Sequence, residues 1–246
     1  MRSAYVGLIR GIRAPMTHLG ALKWLERHSN RDSARWARSL FAIYDIDDMT
    51  RLDLPWWTLK ATRIVDQFLR DRGGARVFEY GSGASTVFLA RRASTVESVE
   101  HDKDWWQRLQ PVLTPFGGAN CRLVEPRKSH SPQYASLKRG HTGLEFHEYV
   151  HAIDLTTGDF DLIVIDGRCR SRCLEVAVPR LRQGGMIVFD NSARSRYRAS
   201  IAACGLHPVR TRGLTAALPY PDQTTLLFRD ATTSGLLLRE LRAASA

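Results

Sequence analysis

The sequence predicts an α/β protein: a mostly parallel sheet covered by helices on both faces and ended by a C-terminal antiparallel hairpin. Three observations predict it. From Arg76 onward, short apolar runs alternate with segments of helical period, the pattern of βα units. Two of those runs, "DLIVIDG" and "GMIVFDN", are apolar throughout, as strands buried on both faces are. The last two runs, "LHPVRTRGL" and "TTLLFRD", are joined by "TAALPYPDQ" with no helix between them, so they pair as an edge hairpin.

The elements follow in order. In residues 1–74, Leu22, Leu25, Trp36, Leu40 and Ile43 recur among charges at helix-like spacing. This predicts a helical cap on the main domain rather than a membrane-surface or partner helix. In "DLPWWTLKATRIVDQFLRD", Pro55 suits a helix start. Leu59, Ile64, Val65 and Phe68 share one side of that helix, and "RGGA" ends it. Residues 75–230 then read as the main domain. "RVFEY", "TVESVE" and "CRLVE" are strands, separated by the helices "STVFLARRA" and "DKDWWQRLQPVL". "SRCLEVAVPRLR" and "RYRASIAACG" are the helices that follow the two apolar strands. Residues 126–158 are long for a connection; "FHEYVHAIDL" supplies a helix there. Residues 231–246 form a tail with a short helix.

Composition narrows the class. No apolar run reaches the roughly 20 residues of a membrane span, and the basic N-terminus lacks the apolar core and cleavage site of a signal peptide. Cys121, Cys169, Cys173 and Cys204 match no zinc pattern. Free thiols fit a reducing, cytoplasmic setting. The net charge is +11, but the basic residues are spread along the chain, which argues against a dedicated nucleic-acid surface.

The stretch "VFEYGSGAST" carries the chemistry. It reads as a strand, a glycine turn and a helix whose amides face a ligand. Gly81 and Gly83 permit close approach and positive φ. The third position of a dinucleotide fingerprint is Thr86 instead of glycine, and no phosphate-loop motif is present. Glu79 before the turn suits a ligand with an ammonium group, as in the methionine part of S-adenosylmethionine, and would repel a pyrophosphate. Glu100 ends the next strand, 19 residues after Gly81, where a carboxylate accepts ribose hydroxyls.

With "VESVEHD", "DLIVIDGRCR" and "GGMIVFDNSARSRY", this stretch resembles the successive motifs of class I S-adenosylmethionine-dependent methyltransferases over roughly residues 75–230. The resemblance implies a Rossmann-like seven-stranded sheet with one antiparallel strand in its last hairpin. It implies S-adenosylmethionine as cofactor, with Glu79, Gly81 and Gly83 on the methionine side and Tyr80 and Ser82 between them. It also implies Ser85 at the carboxylate, Glu100 on the ribose, His101 beside ribose or adenine, and Asp166 at the cofactor's edge. Glu125 is a candidate for the adenine amine.

Two strand ends carry polar clusters: Asp166, Arg168 and Arg170 in "IDGRCR", and Asp190, Asn191 and Arg194 in "FDNSAR". Asp166, Asp190 and Asn191 resemble the Mg²⁺ site of catechol- and caffeoyl-coenzyme A-type O-methyltransferases, which would lower a hydroxyl pKa. Gly167 and Arg168 depart from that pattern, and an arginine there would neutralise the carboxylates in place of the metal. Asp166 or Asp190 then serves as base, with Arg168 beside them; His101 is the alternative, although its position suits the cofactor better. Trp56 and Trp57 either close over the substrate or pack the cap. The expected reaction is O-methylation of a small-molecule or saccharide acceptor, by a chain that can form a homodimer or touch a membrane surface. The alternatives are a nucleic-acid methyltransferase, for which the Asn/Asp-Pro-Pro-aromatic motif is missing, an aminopropyl transferase, for which the double acid is missing, and a non-catalytic binding module.

Overall fold

The computed structural model describes residues 2–43, 45–232 and 235. Helices α1 (Arg2–His18), α2 (Ala21–Arg27), α3 (Asp32–Leu40) and α4 (Ile46–Arg51) precede α5 (Leu59–Arg72). Then come β1 (Arg76–Tyr80), α6 (Ala84–Ala90), β2 (Thr95–Glu100), α7 (Lys103–Leu113) and β3 (Ala119–Leu123). The long connection holds a small ribbon of β4 (Arg127–Lys128) with β5 (Leu144–Glu145), and α8 (His147–Val150). After it follow β6 (Phe160–Ile165), α9 (Arg170–Ala177), β7 (Leu181–Phe189), α10 (Arg198–Ala203), β8 (His207–Gly213) and β9 (Asp222–Phe228).

The main sheet has seven strands in the order β3-β2-β1-β6-β7-β9-β8. Only β9 runs against its neighbours, as the hairpin reading requires. The chain leaves β1 toward β2 and β3, then returns to the other side of β1 as β6. The carboxyl ends of β1 and β6 therefore frame the switch point at which open α/β sheets hold their ligands.

Strand alternation divides the core. Phe78, Tyr80, Ile163, Ile165, Ile187 and Phe189 face α8, α9 and the segment around Tyr197. Val77, Leu162, Val164, Met186, Val188 and Leu226 face the other way, against α5 and α6. Each strand presents alternate residues to opposite faces, so the stretch "LIVI" at 162–165 is apolar at every position.

Helix α5 packs on the sheet itself, whereas α3, α4 and the loop before α5 meet it near Ala84, Ala216 and Ala217. Buried Arg38 bonds Asp48 at 2.7 Å and Glu26 at 2.7 Å, and Arg13 reaches Asp48 at 2.8 Å. This ion network ties α1–α4 together. Helix α5 begins at Leu59 instead of near Pro55, because Thr58 Oγ1 caps it by accepting from the Ala61 amide. Strand β7 begins at Leu181, ahead of the expected glycines, directly after a 3₁₀ turn over Val178–Arg180. No helix among the described residues is long and apolar enough to cross a membrane. The predicted tail helix at 231–246 falls almost wholly outside the described residues.

Candidate active site

Two loops cross backbone to backbone at the switch point. Gly81 has φ +91°, and a Cβ there would stand 2.7 Å from the Gly167 backbone. A Cβ on Gly167 would stand 1.8 Å from Tyr149 Oη. Side chains at either position would force the loops after β1 and β6 apart. The Asp166 amide donates to the Tyr80 carbonyl and the Gly81 amide to the Val99 carbonyl, both at 2.9 Å. Gly83 differs from its expected role. Its backbone is extended, with φ 166°, and the missing side chain makes room for the Trp56 ring, 3.3 Å from a Cβ built there.

Glu79 lies beneath the turn with no exposed surface. Its carboxylate accepts from Ser85 Oγ at 2.5 Å, Thr86 Oγ1 at 2.6 Å and Ser98 Oγ at 2.7 Å. Thr86 Oγ1 in turn accepts from the Gly83 amide. Glu79 and Ser85 are therefore spent on each other and support the turn from below, where the sequence placed both against the ligand. Tyr80 is likewise a core residue: its hydroxyl donates to the Val150 carbonyl at 2.7 Å. Only its backbone reaches the crevice.

Burial pushes the Glu79 carboxyl from 4.5 up to about 7, against the pull of its three hydroxyl donors. The unfolded chain releases this proton first as pH rises. This group therefore lowers stability between about pH 4.5 and 7. Glu79→Gln is expected to remove that component, so thermal melts of the variant across this range should lack a fall that the parent shows. Parallel melting curves would contradict the assignment.

Glu100 closes the crevice from β2. Its Oε2 accepts from the Ser82 amide and Ser82 Oγ, both at 3.1 Å, and its Oε1 from the amides of His101 and Asp102. Burial raises its pKa, but the His101 side chain and these amides outweigh burial and hold it below the usual range. An ionised carboxylate at this strand end suits ribose hydroxyls. His101 Nδ1 lies 2.6 Å from Glu100 Oε1 but is poorly aligned for a hydrogen bond. His101 Nε2 accepts from Arg168 Nε at 3.1 Å. Arg168 thus joins the cofactor side of the crevice and not the carboxylate pair where the sequence set it. Glu125 is exposed just beyond β3.

Asp166 and Asp190 do meet, at the carboxyl ends of β6 and β7, and the cation between them is Arg170. This buried guanidinium bonds Asp166 Oδ1 at 2.7 Å and lies 3.9 Å from Asp190 Oδ2. It also donates to the carbonyls of Asp166, Gly167 and Asp190. Asp190 Oδ1 accepts from Thr224 Oγ1 at 2.8 Å and Oδ2 from Asn191 Nδ2 at 2.6 Å. Burial, then the charge of Asp166, pushes the Asp190 carboxyl up to about 8, although Arg170 and Thr224 oppose the shift. Asp166 is also raised by burial, against the pull of Arg170. Two carboxylates this close titrate as one pair.

This arrangement does not show the expected Mg²⁺ site. The guanidinium fills the place a cation would take, and Asn191 turns its amide nitrogen toward Asp190 and Asp222. A metal ligand would present oxygen instead. Among the described residues no group of three His, Cys, Asp or Glu side chains is set to hold a metal ion.

A cavity of about 150 Å³ opens beside the pair, lined by Asp166, Asp190 and Asn191 on one side and by Ile43, Trp56 and Tyr220 on the other. The cap and the β8–β9 connection thus complete it. Trp56 is half-buried and packs 5.7 Å from the Trp105 ring, while Trp57 is fully buried in the core. The expected tryptophan pair therefore divides into one wall residue and one core residue.

Residues 78–192 match the family model of a methyltransferase domain. They hold Glu79, Gly81, Glu100, Asp166 and Asp190 alike. Residues 78–192 thus read as a methyltransferase domain. One solved structure agrees in fold. An O-methyltransferase from Streptomyces achromogenes, TomG, involved in tomaymycin synthesis and solved with SAM, is 15% identical. The match covers 82% of this chain and 93% of that one, with a TM-score of 0.52. A methyltransferase-like protein from Silicibacter pomeroyi is 19% identical over 76% of this chain and 97% of its own, with a TM-score of 0.47. An rRNA methylase from Streptococcus thermophilus is 14% identical over 70% and 95%, with a TM-score of 0.48. No curated protein matches the sequence.

Parts of the methyltransferase site were not evident in the sequence. The role of Arg170 had no periodic signal: Asp166 lies in the loop before the helix that starts at Arg170, and the left-handed turn at Cys169 brings the two side chains together. Thr224, Asp222 and Tyr220 had none, because the β9 pairing that brings them to Asp190 is set by the sheet. All four cysteines are free. Burial raises the Cys121 and Cys169 thiols to about 12, so neither is a reactive thiolate.

Proposed function

We propose that this methyltransferase transfers a methyl group from S-adenosylmethionine to a hydroxyl of a small-molecule or saccharide acceptor, with the Asp166–Asp190 pair taking the hydroxyl proton. The observation that carries the reading is the acidic pair at the floor of the cavity, next to the crevice bounded by Gly81 and Glu100.

The crevice fits the cofactor in its donor set. Glu100 is ionised at the end of β2, His101 lines the same side, and the Gly81–Gly167 crossing leaves backbone rather than side chains at the turn. S-adenosylmethionine, when bound, supplies an electrophilic methyl on a sulfonium. The acceptor oxygen forms the new O–CH₃ bond as the S–CH₃ bond breaks, and its proton passes to a carboxylate oxygen of the pair. Arg170 holds both carboxylates in register and offsets their charge. The walls formed by Ile43, Trp56 and Tyr220 would border the acceptor. No step runs through a metal.

The pair accepts a proton only when ionised. Turnover is therefore expected to rise with pH through a value near the 8 of Asp190. Asp190→Asn is expected to lower turnover about 10²–10⁴-fold, the usual contribution of a general base, with S-adenosylhomocysteine affinity unchanged. The check is S-adenosylhomocysteine release over a panel of hydroxylated acceptors, paired with titration of the product. Full turnover by the asparagine variant would remove the pair from the chemistry.

A further inference from the structure

A second cleft lies at the β8–β9 edge, and methyl transfer as described does not use it. Antiparallel pairing sets Arg210 opposite Thr225 and Arg212 opposite Gln223. Directly paired residues share a face of the sheet. With Arg194 and Arg198 from the segment after β7, these side chains line a cleft of about 510 Å³. Its lining includes four arginines and no acid. Among the described residues, none of the four side chains forms a hydrogen bond or an ion pair. Elsewhere in this chain Arg13, Arg38, Arg92 and Arg180 each meet carboxylates. The floor is neutral and fixed: Thr225 Oγ1 donates to Ser192 Oγ at 2.7 Å, as does Gln223 Nε2 at 3.0 Å.

Four like charges around one concavity repel each other, and a cleft focuses their field. An anion relieves that repulsion. Guanidinium forks match phosphate oxygens in pairs. Arg194 also lines the cavity beside Asp166 and Asp190, so the two spaces meet at this residue. The arginines surround a single concavity rather than forming a track, which suits one phosphate or diphosphate rather than a polynucleotide backbone. We propose that the cleft binds the phosphate group of a phosphorylated small acceptor whose hydroxyl reaches the Asp166–Asp190 cavity. The link to the acceptor rests on the methyl-transfer reading; the anion site itself does not.

The test is calorimetric titration of the whole chain with inorganic pyrophosphate, comparing the parent with Arg210→Gln/Arg212→Gln. Both arginines are exposed, so the variant is expected to fold. The parent should bind pyrophosphate at one saturable site, and the double variant at least about tenfold more weakly, with melting temperature and S-adenosylhomocysteine affinity unchanged. No binding to the parent, or equal binding to both proteins, would overturn the site. Pyrophosphate binding by a parent that refuses S-adenosylhomocysteine would support the anion site and sink its assignment to a methyl acceptor. A single-stranded RNA that displaces pyrophosphate with affinity about 100-fold tighter would overturn the small-acceptor assignment.

Discussion

Arg170→Met is expected to destabilise the fold by about 3–5 kcal/mol, the usual cost of leaving buried charges unpaired. The guanidinium is 5% exposed and serves Asp166 and Asp190 together with three loop carbonyls. Methionine replaces the volume but none of these bonds. The two carboxylates would then face each other without a cation, and protonation is their remaining relief. The loss should therefore be largest above the pH at which the pair ionises and smaller in acid. Denaturant unfolding at pH 5 and pH 9 measures both the size and the sign. A methionine variant as stable as the parent at pH 9 would mean that Arg170 does not neutralise the pair.

Glu100→Ala should weaken S-adenosylhomocysteine binding by at least about 100-fold while the protein stays folded. A hydrogen bond to a charged group is worth about 1.5–3 kcal/mol, and a ribose offers this carboxylate two hydroxyls. Glu100 also holds the amides of Ser82, His101 and Asp102, so alanine both removes the ribose acceptor and loosens the turn. Glu100→Gln separates the two effects in part, since glutamine keeps one acceptor oxygen, enough for the amides of His101 and Asp102, but loses the charge and the acceptor for Ser82. Binding should fall in the order parent, glutamine, alanine, with circular dichroism unchanged. Equal affinity in all three would take Glu100 out of the cofactor site.

The fold was legible because its signals are local. "RVFEY" and "TVESVE" carry the strand pattern at their full length, and the structure keeps both bounds. The apolar run at 162–165 is continuous because β6 is flanked by strands on both edges and covered on both faces. One boundary shifted where a single interaction decided it, the Thr58 cap. The crevice was legible to the same depth. Gly81 and Glu100 sit at strand ends, and strand ends can be counted from the sequence.

What could not be read was the direction of side chains. Glu79 precedes the glycine turn, as an ammonium ligand would, yet period-2 alternation sends its carboxylate under the turn to Ser85, Thr86 and Ser98. Arg168 and Arg170 differ by two positions, and only the helix start at Arg170 separates their roles. One reaches back to His101 and the other lies between the aspartates. The acceptor cavity draws on Ile43, Trp56, Asp190 and Tyr220, which are far apart in sequence. No spacing rule joins such residues. The long connection at 126–158 shows the same limit: its short β4–β5 ribbon is held by Glu145, which accepts from the amides of Gln133 and Tyr134, and no periodic pattern announces it.

The central claim is that the crevice between the β1 turn and Glu100 holds S-adenosylmethionine. Calorimetric titration of the whole chain with S-adenosylhomocysteine, with and without Mg²⁺, tests it most directly. Saturable binding at one site is expected, with the same affinity in both buffers because Arg170 takes the cation's place. Folded protein that binds no S-adenosylhomocysteine in either buffer would contradict it.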